Sequence, residues 1–282
     1  MHAIKNEPVK QLFHISAGEV KESLQPVLSI RVGEKHCCFS ITDFLSKELK
    51  QLAYYSAEEM NNDFLNELFA VHEELNTAFY QVLICYDYPE SCLVAFKEYK
   101  HSDAGLLLNT MFGLNGTSAI ISESIAEWQL YNVYAVPVNV HDWMTKKFPA
   151  GKYWHQYTLS IKNSQPASEG GSLLVDIRKD DFTLLATANN KILLAQTFLY
   201  STPDDIIYYL LKVCQQFDLS QQKVHIGLSG LVDQQSALYR ELHQFFLQVA
   251  FRKTDWIVPV SDKNETPAHF FTSLNDLSAC AL

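Results

Sequence analysis

The sequence predicts an α/β protein built from two similarly organised halves, each a mixed sheet with an antiparallel three-strand meander and flanking helices. Two observations support this fold class. The same order of elements, three strands, a capped helix and another strand, occurs twice about half a chain apart. In addition, 48% of the 282 residues are hydrophobic and 19% are charged, which is sufficient apolar material for packed cores.

The first half begins with a predicted β-hairpin and a third strand. Residues 27–33 (VLSIRVG) and 36–41 (HCCFSI) have strand composition, and a short turn that begins at Gly33 separates them. Residues 47–56 (KELKQLAYYS) complete the predicted meander.

A helix is expected directly after this meander. Ser56 and Glu59 have the spacing of a capping box, in which two side chains satisfy exposed backbone donors, so the helix is predicted to begin there. Apolar residues then recur every three or four positions along one side, which predicts that they are buried: Met60, Phe64 and Leu68.

Shorter elements complete the first half. The strand at residues 78–87 is expected to end before Pro89, because proline cannot continue a central ladder. The further elements are a strand at 93–99, a helix at 103–112, a weakly patterned segment at 118–127, a strand at 131–138 and a short helix at 141–148.

Residues 162–171 (KNSQPASEGG) lack apolar periodicity and are predicted to be a loop between units. We therefore expect a first domain at residues 1–160 and a second at 161–266. A C-terminal helix at 267–282 is expected to pack back on the first domain.

The second half repeats the order of elements. Its predicted meander comprises residues 172–179, 181–188 and 191–200. Thr202 and Pro203 suit the start of a helix, and Asp204 and Asp205 complement the positive end of its dipole. The buried face of this helix is predicted to include Leu210, Cys214 and Phe217. The elements that follow are a strand at 223–230, a helix at 236–250, a strand at 255–260 and a helix at 267–279.

Charge and hydropathy restrict the partners and the compartment. The formal net charge is −10 and the cationic residues form no cluster, so a nucleic acid is not an expected partner. The first residues lack the apolar run of a secretory signal, and no stretch approaches the roughly 18 apolar residues that cross a bilayer. We expect a cytoplasmic protein with no membrane span, whose partner is another protein.

The six cysteines indicate neither a disulfide framework nor a zinc site, because no CxxC pair occurs. Cys37, Cys38, Cys85 and Cys214 lie in strongly apolar segments, which predicts buried thiols. His36 precedes two of them, but successive strand residues point to opposite faces, so the three side chains cannot converge on one metal. No metal ligand is predicted.

Large aromatic residues cluster at Trp143, Phe148, Tyr153, Trp154 and Tyr157. Such rings concentrate at contact surfaces, and they also pack between domains. The sequence leaves both interpretations open.

Four segments resemble the actin-like ATPase superfamily, whose members consist of two ribonuclease-H-like domains with a nucleotide in the cleft between them: VLSIRVGEKHCCFSI, SLLVDIRKDDFTLLATANNKILLAQTF, VHIGLSGLVDQQSALYRELHQFF and PAHFFTSLNDL. Together they cover most of both halves. More closely, the chain resembles an uncharacterised bacterial family known mainly from Bacteroidetes, DUF3822. The resemblance implies two ribonuclease-H-like domains and, in active members, a site for ATP with Mg²⁺.

The resemblance also implies two hairpins that each carry an Asp, a Gly and a hydroxyl residue, so that a carboxylate holds Mg²⁺ and backbone amides meet phosphate oxygens. In the first hairpin Gly33 is present, but Ser29 or Arg31, depending on the alignment, occupies the acidic position. The first hairpin therefore lacks a metal carboxylate.

In the second hairpin Asp176 and Thr183 match the implied pattern, whereas Arg178 occupies the glycine position. A side chain at that point would crowd a phosphate, although a guanidinium could also contact one.

The implied adenosine motif is a strand that runs into a glycine-rich turn, and residues 226–230 (IGLSG) have this shape. Turns of this composition also occur for purely conformational reasons. The candidate nucleotide-site residues are therefore Gly33, Asp176, Gly227, Ser229 and Gly230.

Because the departures affect both phosphate loops, we expect no cofactor and no catalytic residue. The first hypothesis is a non-catalytic binding or scaffold protein on a degenerate actin-like fold. The alternative is an active nucleotide-dependent ATPase or phosphotransferase that uses the interdomain cleft, with Asp176 and the turn at Gly227 as its binding residues.

Overall fold

The computed structural model describes residues 10–16, 24–114, 117–164, 170–258 and 267–280. These residues form two compact units. The first comprises the described residues up to Gln156 together with 256–258 and 277–280, and the second comprises those from Tyr157 to Asp255 together with 267–276. The domain limits expected from the sequence, 1–160 and 161–266 with the helix at 267–282 on the first domain, differ in detail from this division and stay predictions.

The elements of the first unit are, in chain order, β1 (Lys10–Ser16), β2 (Pro26–Gly33), β3 (His36–Asp43), β4 (Leu49–Ser56), α1 (Asn62–Val71), β5 (Gln81–Asp87), β6 (Ser91–Ala95), α2 (Ala104–Phe112), β7 (Ser118–Ile125), β8 (Leu130–Pro137), α3 (Val138–Lys147) and β9 (Lys152–His155). Strands β2, β3 and β4 form an antiparallel meander, and β5 and β9 extend it in parallel beside β2. The strand order is β1-β4-β3-β2-β5-β9, and β6, β8 and β7 form a separate sheet. The meander predicted for this half is confirmed.

The elements of the second unit are α4 (Gln156–Lys162), which begins at the last residue of the first unit, β10 (Ser172–Ile177), β11 (Asp181–Ala188), β12 (Lys191–Leu199), α5 (Pro203–Gln216), β13 (His225–Gly230), α6 (Ala237–Phe245), β14 (Gln248–Phe251) and α7 (Thr272–Ala279), whose last turn belongs to the first unit. Its five-stranded sheet has the order β12-β11-β10-β13-β14. The meander is antiparallel, whereas β13 and β14 run parallel to β10. Apart from β1, the two main sheets share one topology, which confirms the predicted duplication.

Each main sheet packs its helices on an apolar core. The residues predicted to be buried along the apolar stripes of the two halves are Met60, Phe64, Leu68, Leu210, Cys214 and Phe217. All are buried except Phe217, which is half-buried at the end of α5. Burial of such a side chain contributes about 1.5–3 kcal/mol. The four thiols predicted to be buried are also inaccessible. Of the aromatic cluster, Trp143, Phe148 and Tyr153 pack against the core of the first unit itself.

The predicted start of α1 is wrong by five residues, because the predicted N-cap is Ser56 and the observed one is Asn61. Ser56 remains in β4, and the amides of Ala57 and Met60 donate to carbonyl groups of the β2–β3 turn. The helix begins only at Asn62, where Asn61 Oδ1 accepts a hydrogen bond from the Phe64 amide. Hydrogen bonds to a neighbouring turn therefore override the local capping pattern.

Two other predictions need correction, and one segment without an assigned element contains a strand. The helix predicted at 236–250 ends at Phe245, because residues 248–251 pair in parallel with β13 as β14. The strand predicted at 255–260 is reduced to one bridge between Ile257 and Glu48, and residues 259 and 260 lie outside the described part. The weakly patterned segment at 118–127 contains strand β7.

His155 supports the end of β5 from inside the core. Its Nε2 atom lies 2.9 Å from the carbonyl oxygen of Tyr88, and the ring is fully buried. Burial lowers the pKa of His155 to about 4, against smaller opposing effects of the Tyr88 hydrogen bond and the Asp87 charge. The imidazole is therefore neutral at pH 7.

A neutral buried histidine makes stability depend on pH. Because its pKa is about 4 in the folded chain and about 6.5 in an unfolded chain, the unfolded state binds more protons between these values. The contribution of neutral His155 to the free energy of unfolding is complete above pH 6.5. It is lost as the pH falls toward 4, which lowers the stability by up to about 3 kcal/mol. Urea midpoints should fall more steeply over this range for the natural chain than for His155→Gln, which keeps a donor for Tyr88. Parallel pH profiles would contradict this assignment.

Gly230 has a conformational requirement that can be tested separately from any ligand. Its φ is +81°, and an added β-carbon would lie 2.0 Å from the carbonyl oxygen of Ile177. We expect Gly230→Ala to lower the free energy of unfolding by at least about 1–3 kcal/mol. Gly105→Ala in α2 is the matched control, because its β-carbon meets no atom within 4 Å. The control should raise stability by about 0.5–1 kcal/mol, and equal losses in both variants would contradict the prediction.

Candidate functional site

The two hairpins can be superimposed by their strand register. The last paired positions before each turn are Val32 with Cys37 and Ile177 with Phe182. Gly33 and Arg178 are therefore equivalent first turn residues, and Arg31 is equivalent to Asp176. The structure thus resolves the alignment that the sequence left open, because Arg31, and not Ser29, occupies the acidic position of the first hairpin.

A buried ionic cluster occupies the first hairpin. The Nη2 atom of Arg31 lies 2.7 Å from Asp87 Oδ2, and Nε donates to the same oxygen at 3.0 Å. The Nε2 atom of His36 is 2.9 Å from that oxygen, and the three side chains are each less than a tenth exposed. The carboxylate that β5 places beside this hairpin is therefore engaged by two nitrogen groups of the hairpin.

Gly33 is required for this packing. A β-carbon at Gly33 would lie 2.4 Å from the His36 ring and 2.6 Å from the carbonyl oxygen of Asp87. The space that a small residue leaves in this turn is consequently filled by protein atoms. Neither the charge nor the space at this hairpin fits a Mg²⁺-bound phosphate.

In the second hairpin the guanidinium of Arg178 occupies the turn. Its Nη1 atom donates to Thr183 Oγ1 at 3.0 Å and lies 3.6 Å from Asp176 Oδ2, and its Nε forms an ion pair with Asp181. Arg178 is only 4% exposed. Because the side chain is held by three partners of its own hairpin, it fills the position at which a backbone amide would have to approach a phosphate.

The parallel pairing of β10 with β13 brings three candidate residues together. Asp176 pairs with Ser229, whose hydroxyl donates to Asp176 Oδ1 at 2.9 Å, and Ile177 pairs with Gly230. Gly227 lies two residues before Ser229, opposite Leu174, whose side chain would be 2.8 Å from an added β-carbon. Gly33 belongs to the first unit.

Gly227 borders a cavity of about 770 Å³ on the second sheet. Its walls include Leu174, His225, Ala250 and Arg252, but neither Asp176 nor Ser229 lines it. The carboxylate of Asp176 and Gly227 of the predicted adenosine motif therefore do not line this cavity together.

A chain of three hydroxyl groups extends from the second hairpin. Thr183 Oγ1 lies 3.2 Å from Thr197 Oγ1, which lies 2.9 Å from the hydroxyl of Tyr157. These contacts satisfy polar groups within the second unit. Within the described ranges, no group of three or more His, Cys, Asp or Glu side chains is arranged to hold a metal ion.

Sequence reasoning missed two acidic residues of these clusters. Asp87 was recognised only as the last residue of a strand, although its parallel register with Gly33 places it at the first hairpin. Asp181 follows Arg178 by three residues across the turn between β10 and β11, and opposite charges so close in the chain could have indicated the ion pair.

The buried cluster of the first hairpin should behave as a coupled pair. Asp87→Asn leaves the Arg31 charge buried without its counterion, so we expect a loss of about 3–5 kcal/mol in unfolding free energy. The double variant Arg31→Met/Asp87→Asn should recover part of this loss, because it removes both charges. Urea unfolding of the single and double variants measures the coupling.

Glu48→Gln is the control for this cycle. Glu48 pairs with Lys50, but its side chain is half exposed, and breaking such a pair costs less than about 1 kcal/mol. Additive effects of the Arg31 and Asp87 substitutions would refute the coupling.

Helix length bears on membrane topology. None of the helices in the described residues combines the length and the apolar character that a bilayer span requires.

Solved structures with the same fold were compared with the chain. A protein from Bacteroides thetaiotaomicron with an actin-like ATPase fold and unknown function has a TM-score of 0.72 and 20% identity, with 92% of this chain and 97% of that chain covered. The PilM–PilN type IV pilus biogenesis complex gives a TM-score of 0.53 at 11% identity, with 90% and 98% covered. The ethanolamine utilization protein EutJ from Carboxydothermus hydrogenoformans gives 0.49 at 8% identity, with 93% and 92% covered.

At these identities the similarity concerns the fold alone. It confirms the predicted fold class, two ribonuclease-H-like domains of the actin-like ATPase type. No curated protein matches the sequence significantly. The family described as "Protein of unknown function (DUF3822)" matches residues 16–249, which is most of the chain. The chain therefore belongs to the DUF3822 family, as its sequence resemblance predicted.

Proposed function

We propose that this protein is a non-catalytic, protein-binding scaffold on the actin-like fold and that it works without a nucleotide. The proposal rests on one observation. In each hairpin, an arginine of the chain is bound to carboxylates at the position where an actin-like ATPase would need an open carboxylate and an open turn.

The energetic argument begins with the first hairpin. A phosphate or a Mg²⁺ ion could enter only if Asp87 left Arg31 and His36, and breaking a buried pair costs about 3–5 kcal/mol. A micromolar dissociation constant corresponds to about 8 kcal/mol of binding free energy. Opening this cluster would therefore cost roughly half of the free energy that useful nucleotide binding provides.

The second hairpin supports the same conclusion. Asp176 is the one residue that retains the acidic character expected of an active member, which favours the alternative of an ATPase or phosphotransferase. Its carboxylate, however, receives a hydrogen bond from Ser229 and lies beside Arg178. Phosphoryl transfer depends on positioned metal ions and on amides that approach the phosphates, and a guanidinium in the turn opposes both.

The protein-binding part of the proposal draws on the comparison with PilM. That neighbour, with a TM-score of 0.53, was solved as a complex with PilN for type IV pilus biogenesis. It provides a precedent for the use of this fold in a protein complex. The net charge of −10 also disfavours a nucleic-acid partner.

Calorimetric titration with ATP and Mg²⁺ tests the proposal. We expect no binding tighter than about 1 mM, and hydrolysis no faster than in Gly227→Val, which places a side chain at the glycine of β13 that borders the cavity. Protein complexes captured from cells should have the same composition with and without ATP and Mg²⁺.

The opposite result has a specific signature. Micromolar affinity that is lost in Asp176→Ala and kept in Asp180→Ala would establish a nucleotide site and overturn the scaffold proposal. Asp180 is the matched control because it lies in the same turn and its carbonyl group, not its carboxylate, accepts the Tyr200 amide.

A further inference from the structure

Strand β12 forms the outer edge of the second sheet. It pairs with β11 on one side, and no strand of the described residues pairs with its other side. Its sequence is KILLAQTFL, so that Lys191 is its one charged residue and Gln196 and Thr197 are its other polar residues. Leu199 at its end is 76% exposed.

An edge of this kind is a template for another strand. It presents a row of unpaired N–H and C=O groups, and proteins usually protect such rows with prolines, central charges, bulges or short strands. Strand β12 spans nine residues, contains no proline and has no charge after its first residue. Its register with β11 is regular from Leu194 to Leu199, and the irregular step lies before Leu194.

The first unit shows what can occupy this position. Its equivalent strand is β4, because both strands come third in their meanders. There β1 covers the outer edge of β4 in antiparallel pairing, from Lys10 opposite Ser56 to Ser16 opposite Gln51. The second unit has no counterpart of β1 among its described elements.

We propose that β12 of a second copy of this chain occupies the edge, in antiparallel pairing about a two-fold axis near Gln196. This interaction goes beyond the proposed scaffold function. An antiparallel pair of identical strands is self-complementary, so each contact occurs twice and the assembly closes as a dimer.

The side chains favour this register. With Gln196 opposite its own copy, Leu194 lies opposite Phe198 and Leu193 lies opposite the exposed Leu199, so that apolar side chains meet in cross-strand pairs. A parallel arrangement would instead place the two Lys191 side chains side by side.

Charge complementarity selects the same orientation. In this register Lys191 of one copy lies opposite Ser201 of the other, next to Asp204 and Asp205 in the first turn of α5. Asp205 already accepts hydrogen bonds from the Ser201 and Thr202 amides, whereas Asp204 is exposed. The single cation of the strand therefore meets the acidic end of the neighbouring copy at both ends of the interface.

Sedimentation velocity of the purified full chain, from about 1 to 100 µM, tests the proposal. We expect a species of twice 32.2 kDa that increases with concentration. Gln196→Lys places two ammonium groups opposite each other at the axis, and it should weaken dimerisation by at least about fivefold. Gln196 is exposed, so the folded monomer should keep its circular dichroism spectrum and melting temperature. Gln196→Thr is the uncharged control and should dimerise like the natural chain.

A charge exchange tests the orientation. Lys191→Glu should weaken the dimer, and Lys191→Glu/Asp204→Lys should restore it, because the attraction is rebuilt with reversed sign. A chain that stays monomeric throughout this range overturns the proposal. A dimer that none of these charge substitutions weakens also overturns it.

Discussion

The parallel pairing between the first strand of each meander and the strand after the following helix is the constraint on which both hairpin clusters depend. In the first unit it aligns Gly33 with Asp87, and in the second it aligns Asp176 with Ser229. Residues more than 50 positions apart in the chain therefore meet at the same end of two neighbouring strands. The side chains at these strand ends are buried, so their polar and charged groups have to pair with one another. The ionic clusters are the result.

The two clusters neutralise buried charge at equivalent hairpins with different residues. At the equivalent strand position the first unit has Arg31 and the second has Asp176, while at the equivalent turn position the first has Gly33 and the second Arg178. In each case one guanidinium of the hairpin and at least one carboxylate neutralise each other, and in the first unit β5 supplies the carboxylate. A buried pair of this kind contributes little net stability, since desolvation offsets the attraction. In the scaffold function proposed above, its role is steric and electrostatic, because the paired side chains occupy the space and the charge that an external anion would need.

Alternation and helical periodicity were sufficient to predict the meanders, α5 and the apolar stripes, because these features depend on residues close together in the chain. The start of α1 was not predictable in this way, since the amides of Ala57 and Met60 donate to the turn between β2 and β3. The strand at 248–251 was assigned to a helix for a similar reason, because only its pairing with β13 makes it extended.

The candidate site shows the same limit. Asp176, Ser229 and Gly230 were named as candidates because the resemblance to the actin-like superfamily implies them, and they are neighbours in the structure. Asp87 was missed and the choice between Ser29 and Arg31 was left open, because both depend on strand register. Register is set by pairing over long sequence separations, and a single sequence contains no direct record of it.

The same reasoning applies to β12. Its composition is visible in the sequence, but only the sheet order reveals that this apolar strand lies at an edge while its counterpart β4 is covered. The two units therefore share their strand order more closely than they share the strand that covers the edge or the residues that fill the hairpin.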